Sequence, residues 1–149
     1  MNAAFVPVYA PGTPPINSFG PQRASVRPIL AILSATVWIS VNEFLRNQVL
    51  LIDHWTAHYE ALGLTFPQEP HNGALWGVWA LCFATVLLVV SRRFNFVATL
   101  GLGWAFGFLL MWIVVGNLGM LPLGVLPYAV PWSIVEVAGA VWLVKKRGQ

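Results

Sequence analysis

Residues 73–93 read GALWGVWALCFATVLLVVSRR, an apolar run that ends at a pair of arginines. A helix rises about 1.5 Å per residue, so about 18 such residues or more cross a hydrocarbon layer roughly 30 Å thick. The whole chain has this character, because 58% of its 149 residues are hydrophobic, 9% are charged and the mean hydropathy is +0.71. Too little polar surface remains to coat a soluble globule. The sequence therefore predicts an integral membrane protein.

Three further apolar runs accompany the one at about 73–90. They cover about 29–52, about 95–118 and about 121–144. The fold class predicted is all-α, with four transmembrane helices packed as an antiparallel bundle. Residues 29–149 then form one transmembrane domain.

The basic residues predict how the bundle is oriented. Short loops rich in Lys and Arg stay on the cytoplasmic side of a membrane. With four spans, seven of the eight basic residues fall on one side, and these are Arg23, Arg27, Arg92, Arg93, Lys145, Lys146 and Arg147. We therefore expect the protein in the inner (plasma) membrane of a bacterium. Both termini would lie in the cytoplasm, and residues 53–72 would lie on the outer side.

The first 28 residues hold six of the eleven prolines, at positions 7, 11, 14, 15, 21 and 28. They lack an apolar core long enough for a signal peptide. This composition predicts an extended cytoplasmic leader. Two interpretations remain open: a disordered tail, or a segment that lies against a protein partner in a larger membrane complex.

The first outer loop supports two hypotheses. His54 and His58 are one helical turn apart and, with His71, are candidate ligands of a metal ion. The alternative needs no metal: residues 53–62, closed by Gly63, form a short helix on the membrane surface. In that case three of its side chains turn toward lipid, namely Trp55, Tyr59 and Leu62.

Polar side chains interrupt the first span in its outer half. A charge in hydrocarbon costs about 3 kcal/mol on insertion scales, so such residues need partners. Glu43 and Arg46 are three positions apart and therefore neighbours on one helix face, which predicts an internal ion pair. Asn117 of the third span falls at a similar depth. The intramembrane polar cluster predicted is Asn42, Glu43, Arg46, Asn47 and Asn117.

Glu136 is the acidic residue of the fourth span, and it lies about 12 Å from the cytoplasmic end by the helical rise. No basic residue matches that depth, so we predict an isolated intramembrane acid. It is either a neutral acid bonded to a backbone carbonyl or a Trp N–H, or a proton carrier or polar anchor for a ligand. Pro127 and Pro131, outward of it, predict a kink.

Glycine pairs in two spans have the small-xxx-small spacing of close helix packing. They are Gly73 with Gly77 and Gly103 with Gly107, and we expect both pairs to pack within the bundle, with a dimer interface as the alternative. The eight tryptophans fall into two groups. The interfacial group comprises Trp55, Trp76, Trp79 and Trp142. The deeper group, whose indole N–H groups need partners, comprises Trp38, Trp104, Trp112 and Trp132.

Three functional hypotheses follow. The favoured one is a small noncatalytic accessory or structural subunit of a larger membrane complex, because the chain is short and carries no recognisable catalytic set. The second is a carrier or channel in which the Glu43 and Arg46 cluster and Glu136 form two stations about 10 Å apart.

The third hypothesis is a membrane-embedded enzyme or binder of a lipophilic molecule. Glu43 or Glu136 would then act as general acid while Arg46 orients a polar head. A closed apolar cavity with a carboxyl pointing into it would distinguish this hypothesis from a solidly packed bundle. Membrane lipids are expected contacts, and no nucleic-acid partner is expected. The sequence leaves the cofactor unknown, and a lipid or other lipophilic ligand is compatible with it.

Overall fold

The structure is a computed structural model that describes residues 26–148. Within that range every regular element is a helix. Four helical stretches are long and apolar enough to cross a membrane, and these are Val26–Leu50, Pro70–Ser91, Phe96–Asn117 and Leu123–Gly148. For the described residues, the predictions of an all-helical fold and of four helices long and apolar enough to span a membrane are confirmed. The composition of these helices indicates an integral membrane protein.

The first span changes its winding before it ends. Helix α1 covers Val26–Phe44 and continues as a π-helical segment, Leu45–Leu50. Helix α2, Ile52–Ala61, follows directly and ends at Gly63, whose φ of 71° lies in the left-handed region that favours glycine. The predicted short helix after the first span is therefore present.

The third and fourth spans also contain more than one type of helix, whereas the second is a single α-helix. Helix α3 covers Pro70–Ser91. The third span is built from α4, Phe96–Trp104, a π-helical segment, Ala105–Leu109, and α5, Leu110–Asn117. A 3-10 turn then leads into α6, Leu126–Gly148.

Prolines mark two places where the helices extend beyond the predicted spans. Helix α1 is helical from Val26, the first described residue, and therefore includes Pro28, which the predicted span from about 29 left out. Helix α3 begins at Pro70 and not after Asn72. Pro131, in contrast, lies inside α6. Residues 1–25, which contain most of the predicted leader, lie outside the described residues.

Helix α6 is the centre of the bundle, because it packs against α1, α3 and α4. Small side chains allow the close approach. Ala35 of α1 and Ala140 of α6 are fully buried. A Cβ atom added at Gly139 would lie 2.5 Å from the indole ring of Trp38, so the α1 and α6 backbones pack together through this glycine.

The two glycine pairs have opposite environments. A Cβ atom added at Gly103 would lie 2.5 Å from Leu87, and one added at Gly107 would lie 2.6 Å from Phe83. This pair packs within the bundle, as expected. No atom lies within 4 Å of a Cβ added at Gly73 or Gly77. The prediction that Gly73 and Gly77 pack within the bundle is wrong, because these residues border open space.

Candidate functional site

Arg46 joins two carboxyl groups in the interior of the bundle. Its Nη1 donates to Oε2 of Glu136 at 3.1 Å, and its Nη2 donates to Oε1 of Glu43. The side chains of Arg46, Glu43 and Glu136 are 4%, 7% and 0% exposed. We call these three residues the buried triad. Its centre is the π-helical segment after α1, a kind of winding often found at functional sites.

The prediction that Glu136 is isolated is wrong. The predicted depths were distances along each helix from its basic end, and they assume that these ends of α1 and α6 lie at the same level. However, Nη1 of Arg147 donates to the hydroxyl of Ser34, about two turns into α1. From that contact, Arg46 and Glu136 are each about 17 Å along their helices, counted from the helical rise. The offset between the helices therefore brings the two side chains together.

Asn47 extends the buried triad toward α2. Its Nδ2 donates to Oε2 of Glu43 at 2.8 Å, and its Oδ1 accepts from Nε1 of Trp55 at 3.1 Å. A continuous chain of hydrogen bonds therefore runs from Trp55 to Glu136. Each member restricts the orientation of the next, so the Glu43 carboxylate is held in place from both sides.

Two residues of the predicted polar cluster are not part of this chain. Asn42 is buried, but its Nδ2 donates to the backbone oxygen of Trp38, one turn back in the same helix. Asn117 is the last residue of α5 and is exposed. Within residues 26–148 its side chain makes no hydrogen bond to the buried triad. The prediction that Asn117 completes the cluster is wrong, because its helix ends beside solvent.

Phe108 is a site residue that sequence analysis missed. Its ring centroid lies 5.1 Å from Cζ of Arg46, a cation–π distance, and Phe108 is fully buried. Phe108 follows Gly107, and the lack of a side chain at Gly107 admits the ring of Phe83, whose centroid is 6.1 Å from that of Phe108. The sequence signal that could have identified Phe108 was its position next to Gly107, which was expected to pack within the bundle.

A cavity of about 600 Å³ opens beside the buried triad, and Glu43 and Arg46 form part of its wall. Six aromatic residues also line it, and these are Phe44, Trp55, Tyr59, Phe66, Trp76 and Trp112. Gly73 and Gly77 border it as well, which explains the open space around them. We call it the aromatic cavity. Its volume falls in the range of about 300–1,000 Å³ typical of small-molecule sites.

A second cavity lies on the other side of Arg46, between the end of the first span and the first half of α6. Its volume is about 830 Å³, and its walls include Asn42, Tyr128, Pro131 and Trp132. We call it the α1–α6 groove. Arg46 borders both spaces, so its side chain forms part of the wall that separates them.

Two aromatic residues of α2 point differently from the prediction. The rings of Trp55 and Phe66 are stacked at 5.8 Å, and Tyr59 contacts Phe66 edge-on at 5.2 Å. Phe66 lies in the segment after α2 and lines the aromatic cavity. Trp55 and Tyr59 line it too, so both side chains turn toward the cavity. The expectation that they face lipid is wrong, whereas Leu62 is exposed.

The three histidines are apart from one another. Nε2 of His58 lies 2.9 Å from the backbone oxygen of Gly119, and His54 contacts Tyr128 edge-on at 6.3 Å. His71 is exposed near the start of α3. In the described part of the chain, no three His, Cys, Asp or Glu residues are grouped as metal ligands. The structure gives the metal hypothesis no support.

Several indole N–H groups have the partners that burial requires. Trp38 donates to the backbone oxygen of Glu136 at 2.8 Å, and Trp104 donates to the hydroxyl of Ser133 at 2.9 Å. Two buried polar atoms have no partner among residues 26–148, namely Nε1 of Trp132 and Oε1 of Glu136. Such atoms are rare in folded proteins. Trp132 lines the α1–α6 groove, whereas Glu136 is bonded to Arg46, which lines both cavities.

No protein-family model, curated protein or solved structure matches this chain.

Proposed function

We propose that this protein binds a lipophilic molecule with a polar head inside the membrane, and that the aromatic cavity is the binding site. One observation carries the proposal: the buried Glu43 and Arg46 form part of the wall of an aromatic-lined cavity of about 600 Å³. Small-molecule sites typically combine apolar walls with a few fixed polar groups that orient the ligand.

The energetics of buried charge support a role for the buried triad beyond stability. Removing an ion pair from water costs about as much as the pair gains, and apolar residues of the same volume often stabilise a protein as well or better. Two carboxyl groups around one guanidinium are therefore a weak device for holding helices together. Charged groups within membrane spans commonly mark sites for ligands or ions.

The surrounding residues suggest separate roles. Glu43 would contact the polar head, since it borders the cavity, and Arg46 would hold the Glu43 carboxylate in place. Asn47 is a positioning residue, because it holds the Glu43 carboxylate and is itself held by Trp55. The aromatic walls would contact the apolar body of the ligand.

The two other functional hypotheses, a carrier and an accessory subunit, lead to different expectations. A carrier with two separate stations is less well supported, because Glu43 and Glu136 bond to one guanidinium. An accessory subunit of a membrane complex remains the alternative. It requires a stable set of protein partners and gives no role to the aromatic cavity.

We also propose a membrane orientation, with the four spans antiparallel and both termini in the cytoplasm of a bacterium. Basic residues at one end of the bundle support it, since Arg92 and Arg93 follow α3 and Lys145, Lys146 and Arg147 end α6. Helix α2 would then lie at the outer surface, and the aromatic cavity would open on that side.

Retention of a native small molecule tests the binding proposal. The protein is extracted with its surrounding lipid, and bound molecules are identified by mass spectrometry. Gly77→Leu places a side chain in the aromatic cavity, whereas Gly101→Leu adds the same side chain at a helical glycine that also has open space and is not part of the cavity wall. We expect the wild type and Gly101→Leu to retain a molecule that Gly77→Leu loses. Identical retention by all three proteins would refute the proposal.

A further inference from the structure

The charged side chains at the aromatic cavity are predominantly acidic. Glu43 and Glu69 line it, and among the described lining residues Arg46 is the basic one. Arg46 is already bonded to Glu43 and to Glu136 behind it. Among the lining residues, two carboxyl groups accompany one guanidinium, which leaves one negative charge in excess when both are ionised. Charges interact more strongly in a partly dry cavity than in water, so this imbalance favours a positively charged ligand.

The aromatic walls add a second preference for positive charge. The faces of Trp, Tyr and Phe rings carry negative potential and attract cations within about 6 Å, with Trp the strongest. Trp55 and Tyr59 both contact Phe66, and the three rings form one continuous wall. Trp76, near the start of α3, and Trp112 of α5 also line the cavity. Aromatic rings with acidic groups beside them are the typical surroundings of a bound ammonium group.

The guanidinium of Arg46 does not cancel these preferences. Both of its terminal nitrogens donate to carboxylates, and its Cζ lies over the ring of Phe108, which is not part of the cavity wall. Its charge is therefore compensated on the side of the bundle interior. An anionic head would have to lie beside Glu43 and Glu69, which would repel it.

We infer that the ligand of the aromatic cavity carries an organic cation, a quaternary or protonated amine, held between the aromatic wall and the carboxylates of Glu43 and Glu69. This inference rests on the proposed function, because it names the chemical class of the molecule bound at the same site. The cation would lie against the rings of Trp55, Tyr59 and Trp76, and its apolar part would fill the rest of the cavity.

A matched pair of probes separates charge from shape. Benzyltrimethylammonium and neopentylbenzene have the same size and shape, but only the first is charged. Benzylsulfonate supplies the opposite charge. Binding is measured by equilibrium dialysis of the full-length protein in nanodiscs of uncharged phosphatidylcholine, with empty nanodiscs subtracted. We expect the cation to bind at least about tenfold more tightly than the neutral isostere, and benzylsulfonate not to bind.

A variant of the exposed residue Glu69 tests the role of its carboxylate in binding without disturbing the bundle. Glu69 is exposed, so Glu69→Gln should fold normally and weaken binding of the cation by about threefold while leaving the isostere unchanged. Glu60→Gln is the matched control, because Glu60 is exposed on α2 and does not line the cavity. Equal effects of the two variants would overturn the assignment of Glu69 to the site.

Failure of this inference is distinguishable from failure of the proposed function. If the neutral isostere binds as tightly as the cation and Gly77→Leu abolishes both, the cavity is a binding site and its preference for cations is refuted. Preferred binding of benzylsulfonate, or no binding of any probe above empty nanodiscs, also refutes it. The proposed function is then decided by the retention experiment with the small molecule that the wild type retains. It stands if Gly77→Leu loses that molecule, and fails if Gly77→Leu retains it.

Discussion

Nη1 of Arg46 lies 3.1 Å from Oε2 of Glu136, although the two residues are 90 positions apart and belong to the first and last spans. This contact connects the π-helical segment after α1 to the centre of α6. It also places a guanidinium between the aromatic cavity and the α1–α6 groove. The shape of the site therefore depends on the three side chains of the buried triad.

Removing the central charge of the buried triad should be costly. Arg46→Leu leaves the carboxyl groups of Glu43 and Glu136 buried without their partner, and we expect a loss of about 3–5 kcal/mol in stability. Thermal unfolding in mild detergent measures the loss. The control is the triple variant with leucine at positions 43, 46 and 136, which has no buried charge and should recover most of the stability. A triple variant as unstable as Arg46→Leu would contradict this account.

The hydrogen bond from Trp55 should orient Asn47. Trp55→Phe keeps an aromatic ring but removes the N–H that donates to Oδ1 of Asn47, so we expect a loss of about 1 kcal/mol. Trp142→Phe is the control, because Trp142 is exposed in the last part of α6, away from the site. Hydrogen exchange of the α2 backbone should increase in the first variant alone. Equal exchange in both would show that the hydrogen bond does not hold α2 in place.

The two glycine pairs should respond differently to a methyl group. Gly107→Ala places a Cβ atom 2.6 Å from the ring of Phe83, and we expect destabilisation of about 1–3 kcal/mol because the ring must move. Gly73→Ala meets no atom within 4 Å and should be neutral or slightly stabilising, since alanine favours helix more than glycine does. Unfolding temperatures of the two variants in the same detergent test this contrast, and the opposite order would contradict the packing described.

The proposed orientation can be tested with reporters at both ends. A reporter that is active only in the cytoplasm should give a signal when fused after Gln149 or before Met1, and none when inserted after Gly63, in the turn after α2. Signals in different compartments for the two termini would refute an even number of spans. A cytoplasmic signal at Gly63 would place the aromatic cavity on the inner side.

Properties that depend on neighbouring residues were predicted well. Four apolar runs predicted four helices, because span length depends on local composition and on the thickness of a bilayer. The bond between Glu43 and Arg46 also followed from their spacing on one helix face. Gly63 closes α2 as expected, because its positive φ is a local requirement.

Properties that depend on the offset between helices were not predictable. Gly73 with Gly77 and Gly103 with Gly107 have the same spacing, yet one pair borders a cavity and the other packs against side chains. Counting the helical rise gives depth within one helix only. It carries no information on how far a neighbouring helix is shifted along its axis.

The sequence by itself determined that this protein has four apolar helices, a short helix after the first span, and an ion pair within the first span. Only the tertiary structure decided that Glu136 meets Arg46, that Trp55 and Tyr59 turn inward, and that a cavity opens beside Glu43. The physical reason is that helix formation and hydropathy are local properties of the chain. The offset between α1 and α6 results from packing of side chains such as Trp38 against Gly139, which are distant in sequence.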